Sequence, residues 1–543
     1  MEFSHSRQEA LILNGDNLNL ENLVLAARTA GYPVRLSAAA RDRIRRSRQW
    51  VEQVQKTGSP VIYGINTGFG SKATVSISKE KLKDLQRNLI MSHAAGSGDP
   101  LPVEVVRAAM IMRINTFAKG YSGIRLEVVD TLLQMLQKDV TPWIPSQGSV
   151  GASGDLAPLS HMALVLSRGV EADLAEDSGR AWIREENGEV QLVSGLEAMK
   201  WAGIPRIVLE AKEGLALNNG TQISTALLAL ELSRAEKLVK QADIAMSMSL
   251  EALYGISAAF REELHMLRPH PGQVQTAANI RRITEGSQLL DRYPERVQDA
   301  YSLRCHPQVM AGVRDALAYI KQVAEREMNA TNDNPIIFPD LNEKNRAISG
   351  GNFHAQPIAF AADILSMVLC EIGSIAERRI FRLSDKNLNN GLPSFLVKRD
   401  GLENGLMVAQ YTAASLVSEN KSLAHPASID SIPTCENQED HVSMAPIAAR
   451  KAGMILKNVQ KIVAIEMLFA AQALDIRMAH LAAQAEENLN LGKGTAAAHE
   501  VIRETIPFLS KDRPLYRFIE QLHLAISENR ILRAVENVVG ELN

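Results

Sequence analysis

Between residues 148 and 161 the chain reads Gly-Ser-Val-Gly-Ala-Ser-Gly-Asp-Leu-Ala-Pro-Leu-Ser-His, with glycines at 148, 151 and 154 and an apolar run directly after it. Three chemistries compete for such a stretch. Glycine-rich loops cradle phosphates, but a Walker loop ends in Gly-Lys-Ser/Thr, and no lysine occurs here. The dinucleotide fingerprint needs a preceding strand, and Pro145 interrupts the residues before the loop. A helix entry would use Asp155 as cap or first-turn acid and Pro158 in the first turn. It leaves the run of small residues unexplained. The third reading uses them all. In Ala152-Ser153-Gly154 the unhindered nitrogen of Gly154 can attack the Ala152 carbonyl. Loss of two waters, one of them carrying the Ser153 hydroxyl, then leaves a five-membered ring with an exocyclic methylene. Such a ring is a strong electrophile, which no common side chain is.

Further polar residues are grouped along the chain. Tyr63 opens the triple-glycine segment Tyr-Gly-Ile-Asn-Thr-Gly-Phe-Gly, and Ser92-His93 follows a leucine-rich helical pattern. Asn218-Asn219-Gly220-Thr221-Gln222, Ser349 to His354 (with Phe353) and Asn437 to His441 (with Glu439) each precede a long helical pattern. Gln298, Tyr301 and Arg304 lie three apart and would share a face on one helical turn. Singly, each cluster has a plain reading as helix caps and loop amides. Together with the tripeptide they fit an active site built where helices of different subunits meet, with helix N-termini adding positive potential. The parts suit removal of ammonia from an α-amino acid. The electrophile takes the amine. Tyr63 or Tyr301, held as phenolate by nearby positive potential, takes the weakly acidic β-proton, and Arg304 holds the carboxylate bidentately.

The histidines give no metal site. His265 and His270 are five apart with Pro269 between them, no His-Glu-x-x-His occurs, and His161, His354, His425 and His441 read as hydrogen-bonded structural residues. A metal-free enzyme with no external cofactor is expected.

The tripeptide continued by Asp-Leu and then Pro-Leu-Ser-His resembles the aromatic amino acid ammonia-lyases, whose self-made prosthetic group is 4-methylidene-imidazol-5-one (MIO). The resemblance runs from about Tyr63 to Asp475, with Tyr63 to Gly70, Ser92-His93, Gly148 to Leu156, Asn219 to Thr221, Gln298 to Arg304, Gly350 to His354 and Gln438 to Met444 in the family's order. It implies MIO from Ala152, Ser153 and Gly154, Tyr63 as base and Tyr301 as a second catalytic tyrosine. Arg304 would bind the carboxylate, Asn219 and Gln298 would position the MIO or the amine, and Phe353 would line the pocket. It further implies a homotetramer with each site shared among three subunits. Within the family the likeness is to the histidine-deaminating members, through Ser92-His93 and Asn437-Gln438-Glu439. A carboxylate at Glu439 can pair with an imidazole N–H, with His93 as a second polar contact, whereas a phenyl ring would leave it buried without a partner. The reaction implied is L-histidine to trans-urocanate and ammonia. Departures are a longer 168–193 segment, an N-terminal lead-in, and Ser97-Gly98 where Val-Gly is common. Two rivals are an aromatic lyase or aminomutase using the same group, and a non-catalytic helical scaffold.

The elements that must position these residues are mainly α-helical. A smaller mixed region with short strands and loops (1–212) carries the Tyr63 and MIO loops, a long-helix bundle follows (213–480), and a helical region (481–543) closes one continuous structural domain. Short strands are expected at Glu9–Leu13 and Val61–Tyr63 around a helix near Ala38–Gln55. A hairpin is expected at Trp182–Val193 with a type I′ turn at Asn187-Gly188. Long helices are expected at Ser224–Ser257, Pro307–Asn329, Phe353–Leu383, Leu406–Ala424 and Ser443–Asp475. The last is apolar nearly all round, so it must be buried among others, with surplus apolar faces covered by subunit association. A net charge of −3 gives no electrostatic case for nucleic acid or an anionic membrane. The apolar stretch Pro357–Gly373 is broken by Asp363 and Glu371 and reads as a buried helix. The N-terminus lacks an apolar signal core, and the three cysteines lie far apart. A cytoplasmic protein acting on a small amino acid is the expectation.

Overall fold

The structure, a computed structural model, describes residues 9–185, 187–397, 401–484 and 489–543. The first eight residues, on which the reading of the N-terminus rests, lie outside it. Helices dominate and the strands are two to five residues long. The chain separates into two compact units. One comprises Met1–Leu230, Lys321–Asp363 and Pro426–Arg450, the other Glu231–Ile320, Ile364–His425 and Lys451–Asn543.

In the first unit Leu11–Leu13 pairs in parallel with Val34–Leu36 across the Leu20–Arg28 helix. The Ala38–Thr57 helix starts on a Ser37 cap and stops at Gly58, whose φ of 69° a side chain would resist. Its inner face delivers Trp50, Val51 and Val54 to a core shared with Ile62, Ile65, Leu82 and Ile337. Val61–Tyr63 is not a strand. Ile62 N–H is taken by the Asn66 side chain and Ile62 carbonyl by Asn66 N–H, so a local turn satisfies the groups a ladder would need. The helix Val103–Ala118 is buried on all sides from Val105 onward. The hairpin forms between Arg180–Arg184 and Val190–Ser194, but its turn differs from the I′ expectation. Gly188 N–H donates to Glu185 carbonyl, Glu185 N–H donates to Glu189 carbonyl, and Gly188 carries the left-handed φ of 87°.

The long helices are Gln222–Ala252, His306–Met328, Gln356–Ser384, Met407–Leu423 and Ala445–Ala483; the middle three lie close to expectation, the first ends before the expected Ser257 and the last runs past the expected Asp475. In the second unit Val459, Ile462, Val463, Leu468 and Phe469 are all inaccessible, which accounts for the unbroken apolar surface of Ala445–Ala483. Gln356–Ser384 is long and apolar enough to cross a membrane by composition, yet 61% of its apolar window is buried in the protein. Asp363 within it accepts the Ser428 N–H at 2.8 Å, a contact suited to a core helix.

Candidate active site

A cavity of about 530 Å³ opens in the first unit. Its walls include Tyr63, His93, Ala152, Ser153, Asn219, Phe353 and Glu439, seven of the residues singled out from sequence.

The tripeptide sits where main chains meet closely. Gly148, Gly151 and Gly154 all have positive φ, at 123°, 67° and 75°. Gly154 bridges Gly220 as a parallel neighbour, and a Cβ on Gly154 would overlap the Gly220 carbonyl. Glycine is required there by both φ and space. Asn219 Nδ2 donates to Ser153 carbonyl at 2.7 Å, and Asp155 N–H to Gly220 carbonyl at 2.7 Å. Asp155 precedes the Leu156–Leu166 helix but its side chain does not cap it. The carboxylate instead accepts the N–H and hydroxyl of Ser224, in the first turn of Gln222–Ala252, at 2.8 and 2.5 Å. Complete burial pushes this carboxyl up to about 6.

Glu439 reaches the same point from a turn with unusual backbone. Cys435, Glu436 and Asn437 have φ of 51°, 55° and 65°, a conformation costing a side-chain residue roughly 1–2 kcal/mol each. Paired main-chain bonds between Thr434 and Glu439 close the turn. Glu439 then accepts the Ser153 hydroxyl on one oxygen at 2.5 Å and the Thr434 hydroxyl on the other at 2.7 Å. Gly70 packs on this turn, since a Cβ there would lie 2.6 Å from Cys435 Sγ. Gly70 N–H donates to Tyr63 Oη at 3.1 Å, and Phe69 meets the Tyr63 ring edge-on. Tyr63 is not held as phenolate by these surroundings. Burial pushes its hydroxyl above the usual range, the Gly70 N–H works against this, and Cys435 and Glu439 add to the rise. His93 is held below the ordinary imidazole value by burial, opposed by Leu89 carbonyl and Glu439. His354 and His441 stack with ring planes 6° apart at the cavity edge. His161 lies in the Leu156–Leu166 helix and accepts Gly96 N–H at 3.1 Å, a structural role as expected.

Gln298, Tyr301 and Arg304 belong to the second unit. The single-turn reading fails for them, because only Tyr301–Arg304 is helical and Gln298 lies in the non-helical residues before it. Gln298 and Arg304 line a separate cavity of about 360 Å³. Arg304 guanidinium stacks 4.6 Å from the Tyr301 ring, and Tyr301 is 71% exposed. Beneath them Arg379, fully buried against Glu466, donates to Ser302 carbonyl at 3.2 Å and so fixes the turn from inside. Sequence reasoning missed Asn334, which accepts Gly350 N–H at 2.8 Å, and Cys435. An Asn-Pro turn signal marks the first; nothing local marks the second.

The family described as aromatic amino acid lyase matches residues 18–504. A histidine ammonia-lyase from Caldanaerobacter subterraneus subsp. tengcongensis is 51% identical over 522 residues, 96% of this chain and 97% of the relative. A crystal structure of histidine ammonia-lyase from Trypanosoma cruzi superposes with a TM-score of 0.86 at 36% identity, covering 98% of this chain and 96% of that one. Tyrosine aminomutase from Streptomyces globisporus gives 0.88 at 35% identity, with 98% and 100% covered. With its folded pocket and a match along nearly its whole length, the chain belongs to the aromatic amino acid lyase family.

Proposed function

We propose that the chain eliminates ammonia from L-histidine to give trans-urocanate, using an MIO group made from its own Ala152, Ser153 and Gly154. The observation that carries the substrate choice is Glu439. Its carboxylate stands 2.5 Å from the Ser153 hydroxyl, with Thr434 fixing the other oxygen. A substrate bound beside Ser153 therefore meets an acceptor suited to an imidazole N–H and costly to bury against a bare phenyl ring. The similarity to proteins named histidine ammonia-lyase, at about half identity over almost full length, supports the same reading.

The residues present fit the prosthetic group. Gly154 offers an unhindered nitrogen with no room for a side chain, and the Asn219 amide is bound to the carbonyl that would lie in the ring. Once formed, the group supplies an electrophilic methylene carbon. The chain's own residues do the rest. Asn219 orients the Ser153 carbonyl, His93 adds a neutral polar contact to the ring subsite, and Phe353 lines the cavity as an apolar wall. Tyr63 is the base for the β-proton, and because its surroundings raise its pKa it needs a cation brought near it to act around neutrality. No lysine or arginine lines this cavity among the described residues, and Glu439 and Asp440 make it acidic. A substrate carboxylate would find no partner there. A homotetramer meets both needs if a second copy contributes Arg304, with Tyr301 and Gln298, to complete the cavity. Three free cysteines suit a cytoplasmic enzyme.

A near-ultraviolet assay of purified protein with L-histidine, beside a Ser153→Ala control, tests the proposal. Growth of a urocanate band that the control lacks is expected. Cinnamate, coumarate or a β-amino acid from phenylalanine or tyrosine, with no band from histidine, would reassign the substrate.

A further inference from the structure

Among the ionisable side chains wholly buried in the first unit are Arg113, Asp155, Lys212 and Asp333. Lys212 donates to Asp333 at 2.7 Å, and Ser224 holds Asp155. Arg113 is different. Its Nη2 donates to two main-chain carbonyls, those of Leu217 at 3.3 Å and of Asn219, while Nε and Nη1 have no hydrogen-bond partner. Burial brings the guanidinium down only to about 10, so it remains charged at neutral pH. Asp333 and Asp155 favour its charge, but a buried cation with idle donors is costly, which calls for a local reason.

The segment it grips is the one that grips the tripeptide. Asn219 turns its carbonyl to Arg113 and its amide to Ser153 carbonyl; Gly220 accepts the Asp155 N–H. There is no slack at Gly220, where a Cβ would lie 2.7 Å from Arg113 Nη1. Just beyond it, the Thr221 hydroxyl donates to Glu327 at 2.5 Å and accepts from Asn332 at 2.7 Å. Asn219–Gly220 is thus a strap fixed by Arg113 on one side and pressed on Ser153–Gly154 on the other.

We infer that Arg113 is a positioning residue for cyclisation of Ala152-Ser153-Gly154, holding Asn219–Gly220 so that the tripeptide is kept compact for ring closure. This rests on the proposed function above. In the closure a bond forms from Gly154 nitrogen to Ala152 carbonyl carbon. The Ala152 oxygen leaves as water with the amide hydrogens of Ser153 and Gly154, and the Ser153 hydroxyl leaves as water with the Ser153 Cα hydrogen. Arg113 touches none of these atoms.

The test is the intact mass of purified, folded full-length protein, which reads cyclisation without turnover. Wild-type protein is expected to be lighter than its sequence by two waters; a full-length mass would overturn the proposed function and this inference together. With that deficit in wild type, Arg113→Met is expected to leave at least tenfold more uncyclised chain, and Arg113→Lys, which keeps the charge but not the forked donors, an intermediate amount. Complete cyclisation of both variants would overturn the inference alone. If Arg113→Met does not fold, Arg113→Lys decides: an uncyclised fraction supports the role, and full cyclisation removes it.

Discussion

In the proposed function Glu439 is the carboxylate that selects the substrate. One oxygen accepts the Thr434 hydroxyl, which holds the carboxylate beside the tripeptide; the other accepts the Ser153 hydroxyl in the uncyclised chain and is released to read a ring N–H once that hydroxyl has left. Glu439→Gln keeps the size but replaces one acceptor by a donor, which would face an imidazole N–H with another N–H. We expect kcat/KM for histidine to fall by about 10²-fold or more, the cost of losing a charged acceptor with a donor left unmatched, on the order of 3 kcal/mol. Unchanged histidine kinetics would sink this assignment. Much of the site at this scale was legible. Ala152-Ser153-Gly154 carries its chemistry in residue type and order, and Gly148, Gly151 and Gly154 all have the positive φ that glycine allows. What was not legible is environment. The sequence offers Tyr63 a positive surrounding, whereas burial, Cys435 and Glu439 all push its hydroxyl the other way. Such partners lie hundreds of residues apart and leave no local pattern.

At the scale of elements, periodicity located the long helices and missed the turns between them, because a turn's conformation depends on what it is pressed against. The 435–437 turn is the clearest case: three consecutive side-chain residues with left-handed φ have no sequence signature. Its packing with the Tyr63 loop can be tested through Gly70. With φ of 56° and a Cβ meeting Cys435 Sγ at 2.6 Å, Gly70→Ala is expected to displace Tyr63 and lower kcat tenfold or more. The main unfolding transition should shift by no more than a few degrees, and a wild-type kcat would show that the seat is not needed. A second element-scale device lies in the other unit. Glu251 accepts the Gly492 N–H at 3.1 and 3.2 Å, and burial pushes its carboxyl up to about 7. A raised carboxyl favours the protonated fold. Its contribution is complete below the unfolded value near 4.5 and is lost as pH rises through about 7, an effect on the order of 3 kcal/mol. Glu251→Gln should therefore flatten the fall in melting temperature between pH 5 and 8 relative to wild type. Parallel curves for the two proteins would remove Glu251 as the cause.

For the whole molecule, the proposed function asks for an association of copies. The cavity beside the tripeptide is acidic and lacks a lining arginine or lysine among the described residues. Arg304 meanwhile lies beside Val297 and Tyr301, which are 91% and 71% exposed. On the long helices of the second unit Met367, Val408, Tyr411 and Met454 are also exposed, the surplus apolar surface that the sequence pattern led us to expect. Association of copies would cover this surface and bring a cation to each cavity in one step. That arrangement makes a prediction no single-chain site can satisfy. Tyr63→Phe and Arg304→Ala should each be nearly inactive alone. If Tyr63 and Arg304 of one site come from different copies, coexpressing the two variants in equal amounts gives a site wild-type at both positions whenever its Tyr63 comes from the arginine variant and its Arg304 from the tyrosine variant. Random mixing makes this about one quarter of all sites. We expect urocanate formation at about a quarter of the wild-type rate, absent when separately purified variants are combined without subunit exchange. If both residues came from the same copy, every site would carry one defect and mixing would add nothing. Recovered activity therefore measures whether the site is shared.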